Sequence, residues 1–335
     1  MVKLAEKHTV ATPKAVNPIF PLGGVTGNPV LIQSRYGLRG DFEVLIPRAA
    51  GGLAQYWRDN DNPALPWHGP IIFGTDHYDA VALIVSNFGH PGNLEAIARK
   101  DDQLFFAFQE KDGQWHGPDP IAINGEQLTD AAGTPAFIQS KYGVRGNFEL
   151  VTPTTSGYLT HYWRDNDKAT LPWNAPSHPF GNDTVKAVSL IESNFGNPGN
   201  LEGVARVKDQ LMFFWREVTS EWFGPEPIIA DGHAIHGITG TPAIIQSHHG
   251  HRGNFEVVVP LIKGGLAHYW RDNDNPALPW HGPIRFGTGK IEAVSMIQSN
   301  YGSLEVVVRT EDQLAFYWRG ADFLWNGPVN ITLGQ

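Results

Sequence analysis

A fifteen-residue stretch, Tyr56-Trp-Arg-Asp-Asn-Asp-Asn-Pro-Ala-Leu-Pro-Trp-His-Gly-Pro70, returns unchanged from Tyr269 to Pro283. A looser copy runs from Tyr162 to Pro176. Identical segments at near-even spacing require one structural unit used several times, so the repeat constrains the fold before any local preference does. Aligning on it reveals six units. Each begins with an apolar run ending in Ser, at Ser34, Ser86, Ser140, Ser193, Ser247 and Ser299, separated by 52, 54, 53, 54 and 52 positions. A Glu follows in each, at Glu43, Glu95, Glu149, Glu202, Glu256 and Glu305. A third run ends on Trp57, Phe108, Trp163, Trp215, Trp270 or Trp318, and a fourth starts at Trp67, Trp115, Trp173, Trp222, Trp280 or Trp325. These two columns hold all eleven Trp of the chain.

Within a unit the runs read as strands. Val257-Val258-Val259 and Val306-Val307-Val308 are β-branched, and Leu266-Ala-His-Tyr-Trp270 alternates. Such residues suit a half-buried pleated surface. The 37 Gly and 25 Pro punctuate nearly every boundary, where they would break a helix. Four short strands in each of six units predict an all-β, six-bladed β-propeller with four-stranded antiparallel blades. The expected single domain spans 1–335, with blades at about 26–74, 75–125, 130–181, 182–232, 238–287 and 288–335. Residues 14–25 resemble a blade's last strand. They are expected to close the ring by pairing with the final blade, beside or in place of Val329–Leu333.

A second period overlies the first. Blades 1, 3 and 5 carry the Arg-Asp-Asn-Asp insert and an Arg-Gly before the second strand (Arg39-Gly40, Arg145-Gly146, Arg252-Gly253). Blades 2, 4 and 6 instead carry Asn87-Phe88-Gly89, Asn194-Phe195-Gly196 and Asn300-Tyr301-Gly302. The larger unit is therefore a blade pair used three times, with pseudo-threefold symmetry.

The unit resembles the repeat of tectonin-type propellers and of the fucose-binding bacterial propeller lectins. The resemblance rests on Asn93-Leu94-Glu95, Leu266-Ala-His-Tyr-Trp270 and Trp280-His-Gly-Pro283, and it extends from Pro29 to Gly334. It implies a carbohydrate-binding propeller. The six blades, where those lectins commonly have seven, and the Arg-Asp-Asn-Asp loop depart from that pattern.

A residue present in every blade is expected to serve the blade; one present in alternate blades serves a ligand or the junction of unlike neighbours. The six Glu fall in the first group and are expected to accept bonds from turn N–H groups. The fourth-strand Trp are expected to be core plates between sheets. The alternate-blade residues carry the binding expectation. The turn between the first and second strands and the turn between the third and fourth leave a blade at the same end. Each odd blade would then gather two Arg, two Asp and an aromatic or imidazole on one face. The candidates are Tyr36, Arg39, Arg58, Asp59 and Asp61; Tyr142, Arg145, Arg164, Asp165 and Asp167; and His249, Arg252, Arg271, Asp272 and Asp274. Arg and Asp can hold vicinal hydroxyls through charge-assisted bonds, and a flat ring can stack on a sugar. The competing reading is an internal ion pair that stiffens the long turn. Gln55, His161 and His268, two positions before the third-strand Trp, replace the Phe of the even blades and are expected to bond the loop or reach a ligand.

The expected function is a multivalent lectin with about three sugar sites on one face and no catalytic residues. The alternatives are a glycan hydrolase or lyase, or a protein-interaction scaffold. The net charge of −9 weighs against a nucleic-acid partner. No apolar run reaches the ~18 residues of a membrane helix. Glycans or glycoconjugates are the expected partners, with no cofactor. The absence of cysteine removes disulfides and thiolate ligands. Calcium at the Asp-Asn-Asp run is opposed by the flanking Arg. His248, His249 and His251 sit on a different blade end from His233 and His236, which argues against a shared metal. The first residues lack an apolar signal segment, so the expected location is cytoplasmic or release by a non-classical route.

Overall fold

The computed structural model describes residues 20–21, 24–176, 178–181, 185–218 and 221–333. It is a six-bladed β-propeller. Each blade has four antiparallel strands, a to d from the axis outwards. In blade 1 these are Val30–Gln33, Phe42–Pro47, Leu53–Arg58 and Trp67–Phe73. Blades 2 to 6 repeat the pattern, beginning at Ala80, Ala136, Val185, Ala243 and Ala293. The a strands pack against one another around the axis, blade 6 beside blade 1.

Among the described residues the core is divided. Hydrophobic clusters lie between successive blades, one at each of the six junctions. Successive strand residues point to opposite faces. Val44 and Ile46 therefore enter the cluster shared with blade 6, while Leu45 enters the one shared with blade 2. Both faces of strand b are covered, and all six residues of Phe42–Pro47 are buried. This is why the strand b runs read as uninterrupted apolar sequence around one Glu.

The Trp-His-Gly-Pro part of the repeat is scaffold. Strand d is displaced against strand c by a bulge, as between Gln55 and Trp57. Gly69, with φ of 113°, lies there so close to strand c that a Cβ would come within 2.7 Å of the Gln55 carbonyl oxygen. Only glycine allows that approach.

Ring closure follows the threefold pattern. After blade 4, a short hairpin (Ile229–Ala230 with His233–Ala234) clips onto strand d of blade 5. After blade 6, Thr332–Leu333 clips onto strand d of blade 1, and Phe20–Pro21 pairs antiparallel with it. The two ends of the chain thus build together the hairpin that a continuous segment builds elsewhere. The described part of the N-terminal strand, Phe20–Pro21, lies beside Thr332–Leu333 on the outer edge of blade 1, because blade 6 already owns a complete strand d, Trp325–Asn330. Residues 14–19, 22 and 23 of the expected segment lie outside the described residues.

Blade 4 is distinctive in placing Gly203 where other blades carry Val44, Ala96, Leu150, Val257 or Val306. Gly203 faces Phe214 across the sheet, and a Cβ would meet that ring at 2.5 Å. Overpacking of this kind costs about 1–3 kcal/mol. Gly203→Ala is expected to lower the denaturation midpoint, and adding Phe214→Leu should recover part of the loss; urea unfolding of the two variants checks this.

Candidate functional site

The fifteen candidate residues share one end of the odd blades but are not gathered into one pocket on each. The second Asp of each loop is committed to backbone through both oxygens and the first through Oδ1. Both oxygens of Asp61 accept N–H bonds from Leu38 (2.6 Å) and Arg39 (2.9 Å) in the a–b turn. Asp167 holds Val144 and Arg145, and Asp274 holds His251 and Arg252, in the same way. These bonds hold the Asp167 and Asp274 carboxyls below their ordinary range. Gly37 has φ of 72°, and a Cβ there would lie 2.8 Å from Asp61 Oδ2, which accounts for glycine at this turn. Asp59, Asp165 and Asp272 accept from the N–H of Asp61, Asp167 and Asp274 two residues on, closing the loop. The intervening Asn60 is fully buried and bridges the Arg58 Nε to the Gly40 carbonyl. The two turns do share one end of the blade, as these bonds require.

The alternation serves the even-to-odd junctions (6 to 1, 2 to 3, 4 to 5). Asn87 of blade 2 donates its backbone N–H to Gln139 and its Nδ2 to the Arg145 carbonyl of blade 3. Asn194 makes the same bonds to Gln246 and Arg252, and Asn300 to Gln33 and Arg39. The Asp staple presents the turn, and the neighbour's Asn latches onto it. Arg58, Arg164 and Arg271 point into these junctions. Each guanidinium lies 3.9 Å over the ring of its own blade's Phe42, Phe148 or Phe255. Arg271 also approaches Glu202 of blade 4 at 3.4 Å. The side chains of Arg39, Arg145 and Arg252 are exposed.

Tyr36, Tyr142 and His249 lie on the other side of their blades, in the odd-to-even junctions (1 to 2, 3 to 4, 5 to 6). Tyr36 packs with the blade 1–blade 2 cluster, Tyr142 donates to the Gly199 carbonyl of blade 4, and His249 meets Phe323 of blade 6. The fifteen residues are therefore divided between two kinds of junction.

At every junction a buried Glu looks across. The strand b Glu are 5% exposed or less. Their partner within the blade is the Ser hydroxyl of strand a rather than turn N–H, as in Ser140 to Glu149 (2.7 Å) and Ser193 to Glu202 (2.7 Å). The two columns of the repeat are thus one hydrogen-bonded pair. The strand c residues Gln55, His161 and His268 bond the Glu, not the loop. His161 and His268 each place Nε2 2.7 Å from Glu149 or Glu256. A carboxylate only accepts, so each imidazole carries its proton on Nε2 and turns Nδ1 towards the junction as an acceptor.

In the 3-to-4 junction, Arg216 Nη1 lies 3.3 Å from His161 Nδ1, and the ring of Trp222 stands edge-on to His161 at 5.4 Å. Trp222 stacks flat on Phe180. Tyr142, Glu149, His161, Arg216 and Trp222 line a cavity of ≈370 Å³. The 5-to-6 junction has the same residue types, Glu256, His268, Arg319 and Trp325, but there Arg319 donates Nε to the Phe323 carbonyl and leaves His268 Nδ1 without a partner. Glu256 takes a further contact from His249 at 3.1 Å. Among the described residues, the indole N–H of Trp222, the indole N–H of Trp325, Nδ1 of His268 and, in the 1-to-2 junction, the hydroxyl of Tyr36 are buried without a hydrogen-bond partner.

In the 1-to-2 junction the strand c and strand d groups satisfy one another. Gln55 stands for the histidine and Gln109 for the arginine. Gln55 Oε1 accepts from Trp115 Nε1 and from Gln109 Nε2, both at 2.8 Å, and Gln55 Nε2 donates to Glu43. Burial, opposed by the bonds from Gln55 and Ser34, raises Glu43 to about 8. Burial would raise Glu256 as well, but hydrogen bonds from His249 and His268 outweigh it and bring it to about 2. Burial lowers His268, so this imidazole is neutral at pH 7.

Sequence reasoning missed the Glu, Arg216, Arg319 and the strand d Trp as a set, because it read the Glu and Trp as blade scaffold and gave Arg216 and Arg319 no role. The available signal was the unlike residue at one column: Gln109, Arg216 and Arg319 in even blades. Among the described residues no group of three or more His, Cys, Asp or Glu could hold a metal ion. His249 turns to Glu256 and His236 to Asp209, so the two histidine groups part.

No family model matches the chain, and no curated protein matches it. Solved structures with the same fold do. The BP39L lectin from Burkholderia pseudomallei is 18% identical, with a TM-score of 0.64 over 93% of this chain and 86% of that one. AofleA from Arthrobotrys oligospora is 13% identical, with a TM-score of 0.69 over 94% and 89%. The Aleuria aurantia lectin, described as a six-bladed β-propeller with a fucose recognition mode of its own, is 14% identical, with a TM-score of 0.64 over 93% and 97%.

The opposed titrations of Glu43 and Glu256 have opposite consequences for stability. Glu43 binds its proton more tightly folded than unfolded, so its contribution is complete below its ordinary value of 4.5 and is lost as pH rises through about 8. Glu256 contributes above 4.5, and that contribution is lost as pH falls towards about 2. The stability of Glu43→Gln relative to the parent is therefore expected to rise between pH 5 and pH 9. Glu256→Gln should be most destabilised near neutrality and converge with the parent in acid; denaturation midpoints across this range check both.

Proposed function

We propose that the chain is a non-catalytic carbohydrate-binding propeller whose sugar sites are the odd-to-even junctions 3-to-4 and 5-to-6. The observation that carries this is the buried pair left open in the 5-to-6 junction: a donor, the Trp325 indole N–H, and an acceptor, His268 Nδ1. Their rings stand 5.5 Å apart. Leaving either unpaired costs about 1–3 kcal/mol. A hydroxyl both donates and accepts, so one sugar O–H answers both. Arg216 and Arg319 add fixed donors for a neighbouring hydroxyl, and the ≈370 Å³ cavity between blades 3 and 4 has the scale of a small-ligand pocket.

Each residue has a separate task. Glu149 and Glu256 fix the tautomer and orientation of His161 and His268 from behind. The imidazole accepts, the guanidinium and indole donate, and Tyr142 supplies an aromatic wall. The same constellation occurs twice, which suits repeated binding better than a single catalytic centre. The loops with Asp59, Asp165 and Asp272 support the sites from the far side of the blade and do not touch the sugar in this reading. Fucose is the first sugar to test, because solved neighbours of the same fold were crystallised with α-methyl fucoside or Fucα1-6GlcNAc.

Isothermal titration with methyl α-L-fucoside is expected to give two sites per chain. Arg216→Ala and Arg319→Ala should each weaken one site by about tenfold to a hundredfold, the scale of a lost charge-assisted hydrogen bond. The double variant Gln55→His/Gln109→Arg should open the 1-to-2 junction and raise the stoichiometry from two to three. Unchanged binding in both arginine variants would remove the junctions from the account.

A further inference from the structure

One even-to-odd junction departs from its two counterparts. In blades 2 and 4, nine positions separate the strand a Ser from its Glu; in blade 6, six do. The segment missing from blade 6 is the one that reads His90-Pro91-Gly92 and Asn197-Pro198-Gly199 in the other two. With the longer turn, Phe88 and Phe195 cover the arginine of the next blade, their rings 5.5 Å from the Arg164 and Arg271 guanidinium carbons. In the short turn the aromatic is Tyr301. It is 46% exposed and reaches the Asn60 carbonyl with its hydroxyl, at 3.3 Å. Arg58 keeps the rings of Phe42 and Phe316 beneath it and has lost the cover above.

A cavity of ≈660 Å³ opens there. Its polar groups are not used up. Among the described residues, Arg58 spends only Nε, on Asn60, and Glu305 accepts only from Ser299, through Oε1. Both are buried, at 7% and 5% exposure; Arg164 and Glu95 of the 2-to-3 junction are equally uncommitted, but there Phe88 covers the guanidinium. Burial, offset by Arg58, raises Glu305 to about 7, so near neutrality it can donate to a hydroxyl or accept from one. The walls are apolar: Leu65, Pro66, Phe316 and Trp318. Leu65 holds φ of 47°, a region that is strained for a leucine.

We propose that the 6-to-1 junction is a second, chemically different site that takes a glycoside with an apolar aglycone. The sugar hydroxyls meet Arg58 and Glu305, and the aglycone lies against Leu65, Phe316 and Trp318. The cavity is nearly twice the size of the one between blades 3 and 4, so it has room for a ring beyond the sugar. The sugar half of this assignment rests on the carbohydrate reading above; the apolar half rests on this cavity alone.

The test compares phenyl α-L-fucoside with methyl α-L-fucoside by isothermal titration on the full chain. Two variants close the cavity from different sides. Val329→Arg acts at a rim residue that is 52% exposed, and an Asn-Pro-Gly insertion after Gly302 restores the longer turn. The phenyl glycoside is expected to fill one site more than the methyl glycoside. Both variants should lose that extra site and leave the methyl isotherm unchanged. Equal stoichiometry for the two glycosides in the parent, or an extra phenyl site that persists in both variants, would overturn the proposal. If the parent ignores the methyl glycoside but binds the phenyl one in a way both variants abolish, the cavity stands and the sugar assignment of the histidine junctions falls.

Discussion

Each blade buries a glutamate, and the structure has to answer that carboxylate six times. A buried charge costs several kcal/mol unless it is partnered. The strand a serine satisfies part of the need from within the blade. The rest is met on the junction faces, by the blade's own strand c or by the neighbouring blade. The 4-to-5 junction answers with Arg271, the 3-to-4 and 5-to-6 junctions with histidine, and the 1-to-2 junction with glutamine and a raised proton affinity. A scaffold requirement met in unlike ways at equivalent places yields unlike microenvironments. That is how a repetitive chain comes to hold a few distinct pockets.

The pseudo-threefold pattern divides labour between junctions. On one side of each odd blade, the Asp staple, the buried Asn and the neighbour's Asn latch hold two blades together with polar bonds to backbone. On the other side, such latches are fewer, and side chains of Glu, His, Arg and Trp face one another. Rigid edges on one flank leave the opposite flank free to present groups that a blade could not satisfy alone. The cut-back turn of blade 6 shows the same economy: removing three residues from one turn uncovers an arginine that its counterparts keep covered.

Much of the fold was legible in the sequence. The Ser, Glu and Trp columns set the blade length, and the strand b runs announced burial on both faces. The alternation was also visible, and one of its two proposed meanings, service to the junction of unlike neighbours, accounts for Asn87, Arg145 and their counterparts. The candidate site was legible only in part. Tyr142 and His249 lie in junctions that now carry the proposal, but in the Asp-Asn-Asp loops, read as sugar ligands, both oxygens of the second Asp and one of the first bond their own turns. Loop composition cannot distinguish a carboxylate that stitches backbone from one that faces solvent. Nor does composition reveal a pairing across blades: Arg216 meets His161 from 55 positions away, and the meeting depends on which side of strand c each occupies. The strand d tryptophans looked like scaffold because every blade has one. The difference between them, a satisfied indole at Trp115 and open ones at Trp222 and Trp325, arises from a single neighbouring residue in the preceding blade.

The claim at the centre of this account is that methyl fucoside binds between blades, at the histidine junctions, and not on the aspartates of the odd-blade loops. A crystal structure of the chain with methyl α-L-fucoside tests it most directly. The account predicts sugar density against His161 and Trp222 and against His268 and Trp325, with a hydroxyl within hydrogen-bond distance of His268 Nδ1 and Trp325 Nε1, and none beside Gln55. Sugar seated on the loops of Asp59, Asp165 and Asp272, with both histidine junctions empty, would contradict it.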